Sequence, residues 1–276
     1  MEQEIISLLG SRIKAMEVIL AKEGAKKVIR MLCHEMKVLP TREYLRSQGL
    51  SVELSDFKVL KDPVQGIYAD RSIKVPKEDP RRGYLILYAS HHPMGSQRAK
   101  ELESEGDHRG LGEVLGYPEC CCDFFEKHFG EHHTDLTLDT LRNSKGFKFP
   151  FEMNIAARHF DSALLSHFPC SFQCEESLGM ARKNLDTLKE KAPDIASFML
   201  VLLKSSILYT DQGILLFEGA TIKEDVLEFE EVQATQRLKL FHFLEKEGKL
   251  RIVDKENIMI AGEPIEGGEM GIMVFG

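Results

Sequence analysis

Gly116-Tyr117-Pro118-Glu119-Cys120-Cys121-Cys122-Asp123-Phe124-Phe125 is the stretch around which the rest of the chain is read. Its counterpart is His167-Phe168-Pro169-Cys170-Ser171-Phe172-Gln173-Cys174-Glu175-Glu176-Ser177. The two stretches hold all but one of the 6 cysteines in 276 residues. Each has a proline placed as the first residue of a helix, where no amide hydrogen is needed. Thiols in the first turns of a helix meet its partial positive charge, which favours thiolate. Thiolate or metal–thiolate chemistry is therefore the expectation.

On a helical wheel of about 100° per residue, Phe124, Phe125, His128 and Phe129 define the buried face of the helix after Pro118. Cys121 falls closest to that face, Cys122 beside it and Cys120 well off it, so the three thiols cannot share one role. In the second stretch Cys170, Cys174, Leu178, Ala181, Leu185 and Leu188 are in helical phase. That pattern predicts one helix with both thiols facing inward, one turn apart. Pro150 is read as opening a preceding helix, with Ala156, Phe160, Ala163, Leu164 and His167 on one stripe.

Outside these stretches the chain reads as an α+β protein. Residues 4–36 carry two helical stripes, the second through Ala25, Val28, Ile29, Leu32 and Met36, with Pro40 as terminator. Cys33 lies at the edge of that stripe and is read as a small buried hydrophobe. Residues 57–60 and 67–70 flank a Pro/Gly turn and predict a hairpin. Residues 84–89 form a continuous apolar run, read as a buried strand, which ends at Ser90-His91-His92-Pro93. Residues 95–112, with Arg109, read as a mobile connection, and residues 130–145, with His132 and His133, as a polar loop. Beyond them come two strands around Asp211-Gln212-Gly213 and a helix over residues 233–246. Two short strands then flank residues 254–257, and residues 272–275 read as an edge strand. The expected division is residues 1–105 (helices and a small sheet), 106–204 (the helical cysteine region) and 205–276 (an α+β module).

A net charge of −8 argues against a broad nucleic-acid surface, which needs a positive field. The acidic start, Met1-Glu2-Gln3-Glu4, is unlike a signal peptide. The most apolar run, residues 195–203, is far short of the ~20 residues a bilayer span needs. The reading is a cytoplasmic protein with no membrane segment, acting on a small molecule or RNA. In a reducing compartment clustered cysteines point to metal or redox chemistry more than to disulfides.

Three chemistries compete. An iron–sulfur cluster commonly takes four thiolates, here Cys170 and Cys174 with two of the three adjacent thiols. A structural zinc holding two helices together is the alternative. A metal-free site for sulfur transfer or disulfide exchange is the third. Adjacent cysteines diverge by about 100° on a helix, which suits a spread cluster better than one ion. It also suits a division of labour, with Cys122 as free nucleophile or redox partner. His167, just ahead of Pro169-Cys170, is the first candidate acid–base group, and His91 and His92 follow. If the stretches share a site, sulfurs of Cys120 or Cys121 should lie within about 7 Å of Cys170 or Cys174.

The residues Leu115-Gly116-Tyr117-Pro118-Glu119-Cys120-Cys121, Phe124-Phe125 and 167–175 resemble a family of prokaryotic, largely archaeal, proteins catalogued as a domain of unknown function. Its pattern is G-Y-P-x-C-C followed by H-x-P-C-S-x-x-C, and the match covers roughly the middle third of the chain. The resemblance implies an archaeal origin. It also implies that Cys120, Cys121, Cys170 and Cys174 are the motif cysteines and that Cys122 is an addition. Asn154 falls on a further motif position. No reaction comes with the resemblance.

Overall fold

The computed structural model describes residues 2–61, 72–130, 135–265 and 268–276. Its helices and three sheets make an α+β fold, as expected. The chain divides into two compact units, one of residues 1–63, 70–134 and 182–196, the other of residues 64–69, 135–181 and 197–276. Among the described residues no helix is long and apolar enough to cross a membrane.

The first unit begins with helices α1 (Glu2–Leu9) and α2 (Arg12–Lys22). Ser11 caps α2 by accepting from the Lys14 amide. The second helical stripe expected before residue 36 is instead strand β1 (Val28–His34). Val28 is buried at its start, Ile29, Met31 and Cys33 are buried at alternate positions beyond it, and Met36 is 66% exposed. A spacing of four residues fits both a helical turn and two steps of a strand, and the alternation decides for the strand. Cys33 is buried, as expected. Pro40 does not end a helix; it sits in the first turn of α3 (Val38–Ser47), where proline is tolerated.

Strands β2 (Ser51–Lys61), β3 (Ser72–Pro76) and β4 (Tyr84–Ser90) complete an antiparallel sheet of order β1-β4-β2-β3. The hairpin partner of β2 is thus β3, and the segment expected at residues 67–70 lies outside the described residues. Register between β2 and β4 shifts between Leu54 and Lys58. Ser55 fills the irregularity, donating to the Phe57 carbonyl and accepting from the Ile86 amide.

Residues 95–112 are not a loose connection. They form α4 (Pro93–Glu105) and most of α5 (His108–Val114). Gly106 ends α4 at φ 76°, where a side chain would be strained. Asp107 caps α5 through the Gly110 amide. Ala99, Leu102, Leu111 and Leu115 pack with Val28, Val59, Ile86 and Tyr88 of the sheet. Arg30 of β1 clamps the buried Glu103 carboxylate of α4 through two nitrogens, at 2.5 and 3.0 Å. The polar composition hid the helix because only one narrow stripe is apolar. Helix α6 (Glu119–His128) follows, as its proline and phenylalanines predict.

In the second unit α7 (Thr137–Arg142) occupies part of the expected polar loop; His132 and His133 lie outside the described residues. Its Leu138 and Leu141 are buried, as is the preceding Leu136. Strand β5 (Lys148–Phe149) comes next. The helix expected after Pro150 is replaced by two short 3₁₀ turns, Phe151–Met153 and Ala156–Phe160, with irregular chain beyond. The long helices α8 (Glu175–Lys191) and α9 (Pro193–Leu203), whose residues 182–196 count with the first unit, precede the C-terminal strands.

Those strands are β6 (Ser206–Thr210), β7 (Gly213–Glu218), β8 (Thr221–Lys223), β9 (Val226–Glu228) and β10 (Glu231–Ala234). Helix α10 (Lys239–Glu247) intervenes before β11 (Lys249–Ile252), β12 (Ile258–Ile260), β13 (Glu263–Pro264) and β14 (Met270–Phe275). One sheet runs β10-β7-β6-β14-β5 and the other β13-β12-β11-β9-β8. The pairs β6–β7 and β11–β12 are the expected ones. The helix expected over residues 233–246 begins later, because residues 231–234 pair with β7. The last strand is no edge: β14 lies between β6 and β5 and is antiparallel to the first and parallel to the second.

Candidate metal centre

The first cysteine pair is positioned by local means. Gly116 takes a positive φ of 80°, turning the chain into Tyr117-Pro118. The Pro118 carbonyl accepts from the amides of Cys121 and Cys122 and so starts α6. Arg109 of α5 pins that start from outside, donating to Glu119 and Asp123 of α6 and to Glu113 of its own helix. Cys120 is exposed, while Cys121 and Cys122 are buried, in the order the wheel predicted. The expected divergence of neighbours is undone at this helix start: the sulfurs of Cys120 and Cys121 are 3.9 Å apart.

Cys122 points elsewhere, with its sulfur 3.9 Å from the Tyr117 carbonyl. A Cβ added to Gly112 would lie 2.7 Å from that sulfur, so α5 reaches α6 through a glycine. Burial, with Glu113 beside it, pushes the Cys122 thiol up to about 11. At neutral pH it is therefore a thiol.

The second pair is held by a different device. Cys170 and Cys174 are not on one helix, because α8 begins only at Glu175. The segment before it is a set of bends and turns. Cys174 stands at the helix entrance, its carbonyl accepting from the Leu178 amide and its own amide donating to Ser171. The segment is sewn to the end of α7. Thr140 donates to the Pro169 carbonyl at 2.8 Å and Asn143 to the Cys170 carbonyl at 2.6 Å. The Phe172 amide donates to the Ser144 hydroxyl at 2.7 Å. Gln173 and Lys145 exchange two further bonds, side-chain amide to backbone. Polar groups of an irregular buried segment need such partners, since unpaired ones cost stability.

Behind this seam stands a second layer. Lys255 donates to the carbonyls of Leu141, Arg142 and Ser144, closing the C-terminal end of α7. Asp135 organises the other end, accepting from the amide and hydroxyl of Thr137. The same carboxylate receives Arg158 at 2.5 Å and the Tyr209 hydroxyl at 2.7 Å, with His159 at 3.4 Å. Burial would raise its pKa, but the Arg158 charge and the His159 and Tyr209 hydrogen bonds outweigh burial. They hold it well below the usual carboxylate range. Asn154 is fully buried, donating to the Leu203 and Ser205 carbonyls and accepting from the Ala157 amide.

The sulfurs of Cys120, Cys121, Cys170 and Cys174 all lie within 4.8 Å of one another, inside the 7 Å expected for a shared site. These four thiols can hold a metal. Among the described residues the group contains neither Cys122 nor a histidine. The His167 ring Nε2 meets the Ser177 hydroxyl at 2.9 Å, and His91 Nε2 meets the Ala21 carbonyl at the same distance. His92 is exposed at the entrance of α4. Sequence reasoning did not reach Asp135, Thr140, Asn143, Ser144 and Lys255. Polar residues around a short helix were the only trace of them. Comparison of the chain with protein families, with curated proteins and with solved structures finds no match.

Proposed function

We propose that the chain is a metal–thiolate protein whose centre is one tetrahedral ion, zinc foremost, held by Cys120, Cys121, Cys170 and Cys174. The observation that carries this reading is the spacing of the four sulfurs. A zinc–sulfur bond of about 2.3 Å sets tetrahedral sulfur–sulfur edges of roughly 3.8 Å. The Cys120–Cys121 separation of 3.9 Å agrees with that edge, and the upper limit of 4.8 Å leaves little to contract. An iron–sulfur cluster, the first reading of the sequence, spreads its irons apart and asks for wider spacing between its terminal thiolates. Four sulfur donors leave no open position for substrate, which is the pattern of a structural zinc. On this reading the centre stabilises the fold around it. Cys122 and His167 are packing and positioning groups beside it, and no reaction is assigned.

Metal analysis of protein purified without oxygen tests the reading, alongside Cys120→Ser, Cys121→Ser, Cys170→Ser, Cys174→Ser, Cys122→Ser and Cys33→Ala variants. A serine hydroxyl is a poor soft-metal ligand. The expected result is one zinc per chain in the wild type, retained by Cys122→Ser and Cys33→Ala. Each of the other four should lose most of its metal. Iron with acid-labile sulfide would restore the cluster, and full metal in both Cys170→Ser and Cys174→Ser would end the metal reading.

A further inference from the structure

A cavity of about 250 Å³ opens in the first unit, away from any residue assigned to the metal centre. Its lining combines two chemistries. Leu8, Leu9 and Met31 supply apolar wall, and Lys14, His34 and Lys37 supply positive or hydrogen-donating groups. Among the described residues no aspartate or glutamate lines it, in a chain with net charge −8. Such a lining differs in sign from the protein as a whole.

The polar groups are arranged in advance. The Lys37 ammonium donates to the Ser7 and Leu8 carbonyls at 3.2 and 3.1 Å, at the end of α1, which fixes it while leaving a third N–H. The His34 ring accepts from the Met36 amide at Nδ1, so a neutral ring carries its proton on Nε2 and remains a donor. The Tyr84 ring stands edge-on to that imidazole at 5.3 Å and holds its plane. The volume lies just below the roughly 300–1,000 Å³ of drug-sized sites, so the occupant must be small.

We propose that this cavity binds a small amphiphilic anion. Its carboxylate or phosphate head would meet Lys14, His34 and Lys37, and its short hydrocarbon body would lie on Leu8, Leu9 and Met31. The held Lys37 ammonium, with Lys14 and the His34 N–H, supplies attraction and orientation, and the apolar wall supplies area removed from water. The site is independent of the metal reading and stands whether or not the four cysteines hold an ion.

The test is a titration of the ¹⁵N-labelled full chain, followed by amide shifts, with hexanoate, hexyl phosphate, hexanol and inorganic phosphate as probes. The expected result is saturable shifts at residues 31–34 and 41 with hexanoate or hexyl phosphate, at least about tenfold tighter than hexanol or inorganic phosphate. The tighter of the two anions identifies the head group. Lys14→Gln should weaken that anion about tenfold and leave hexanol unchanged. Leu8→Trp should block both anions by filling the wall. Hexanol binding as tightly as either anion, absence of saturation with all four probes, or an unchanged anion affinity in Lys14→Gln would each overturn the proposal. Lys14 sits outside the core, so that variant is readable even if Leu8→Trp fails to fold.

Discussion

The two cysteine pairs are presented by opposite means. Cys120 and Cys121 ride the first turn of a regular helix, whose start is set by Gly116, Pro118 and surface ion pairs to Arg109. Cys170 and Cys174 belong to irregular chain that is held largely by hydrogen bonds to residues about 28 positions earlier. Those residues depend in turn on Asp135 at one end of α7 and Lys255 at the other. A helix satisfies its own backbone, so its thiols need little outside help. An irregular segment borrows most of its partners, so its thiols inherit the stability of distant residues.

If that contrast is right, substitutions behind the second pair should be costly and substitutions around the first should be mild. The largest effect is expected at Asp135. Asp135→Asn leaves Arg158 without its buried carboxylate partner and should cost about 3 kcal/mol in a urea unfolding experiment near neutral pH. Because the folded-state pKa of Asp135 is depressed, its contribution is present above the ordinary carboxylate range, near about 4. It is lost as pH falls through the lower, folded value. The gap between wild type and Asp135→Asn should therefore be constant at neutral pH and narrow in acid. A gap that widens in acid would contradict the assignment.

Ser144→Ala should come next. It removes the acceptor of the buried Phe172 amide and a donor to the Thr140 carbonyl, at about 2 kcal/mol. It should also speed metal loss to a chelator, since the Cys170 segment loses one of its stitches. Arg109→Ala is the mild counterpart. Its ion pairs lie at the surface, where such pairs contribute little. Its urea midpoint should match the wild type within scatter, and chelation kinetics should barely change. An Arg109→Ala effect as large as that of Ser144→Ala would erase the distinction between the two halves.

The legibility of the site follows the same division. Proline, cysteine and phenylalanine spacing after Gly116 was enough to place α6 and to order the burial of its three thiols, because helix starts and amphipathic faces are local properties. The strand at residues 84–90 and the pairs β6–β7 and β11–β12 were legible for a similar reason: short apolar runs bounded by turn residues have few other uses. Residues 170–188 misled, because a helical phase in Cys170, Cys174 and Leu178 can equally arise when a turn delivers a thiol to the head of a helix. Residues 25–36 misled because four-residue spacing is ambiguous between helix and strand, and pairing with β4 settled it.

By itself, then, the sequence determined the chemistry on offer: an α+β chain with its thiols gathered in two short stretches, the first of which opens a helix after Pro118. Tertiary structure decided the rest. It alone brought four sulfurs within 4.8 Å, set Cys122 aside in a buried thiol environment, and supplied the polar seam from α7 to the Cys170 segment. The physical reason is range. Caps, turns and apolar stripes act over a few residues and are written in the spacing of the chain. Hydrogen bonds to an irregular backbone, and distances between distant thiols, depend on where separate elements come to rest.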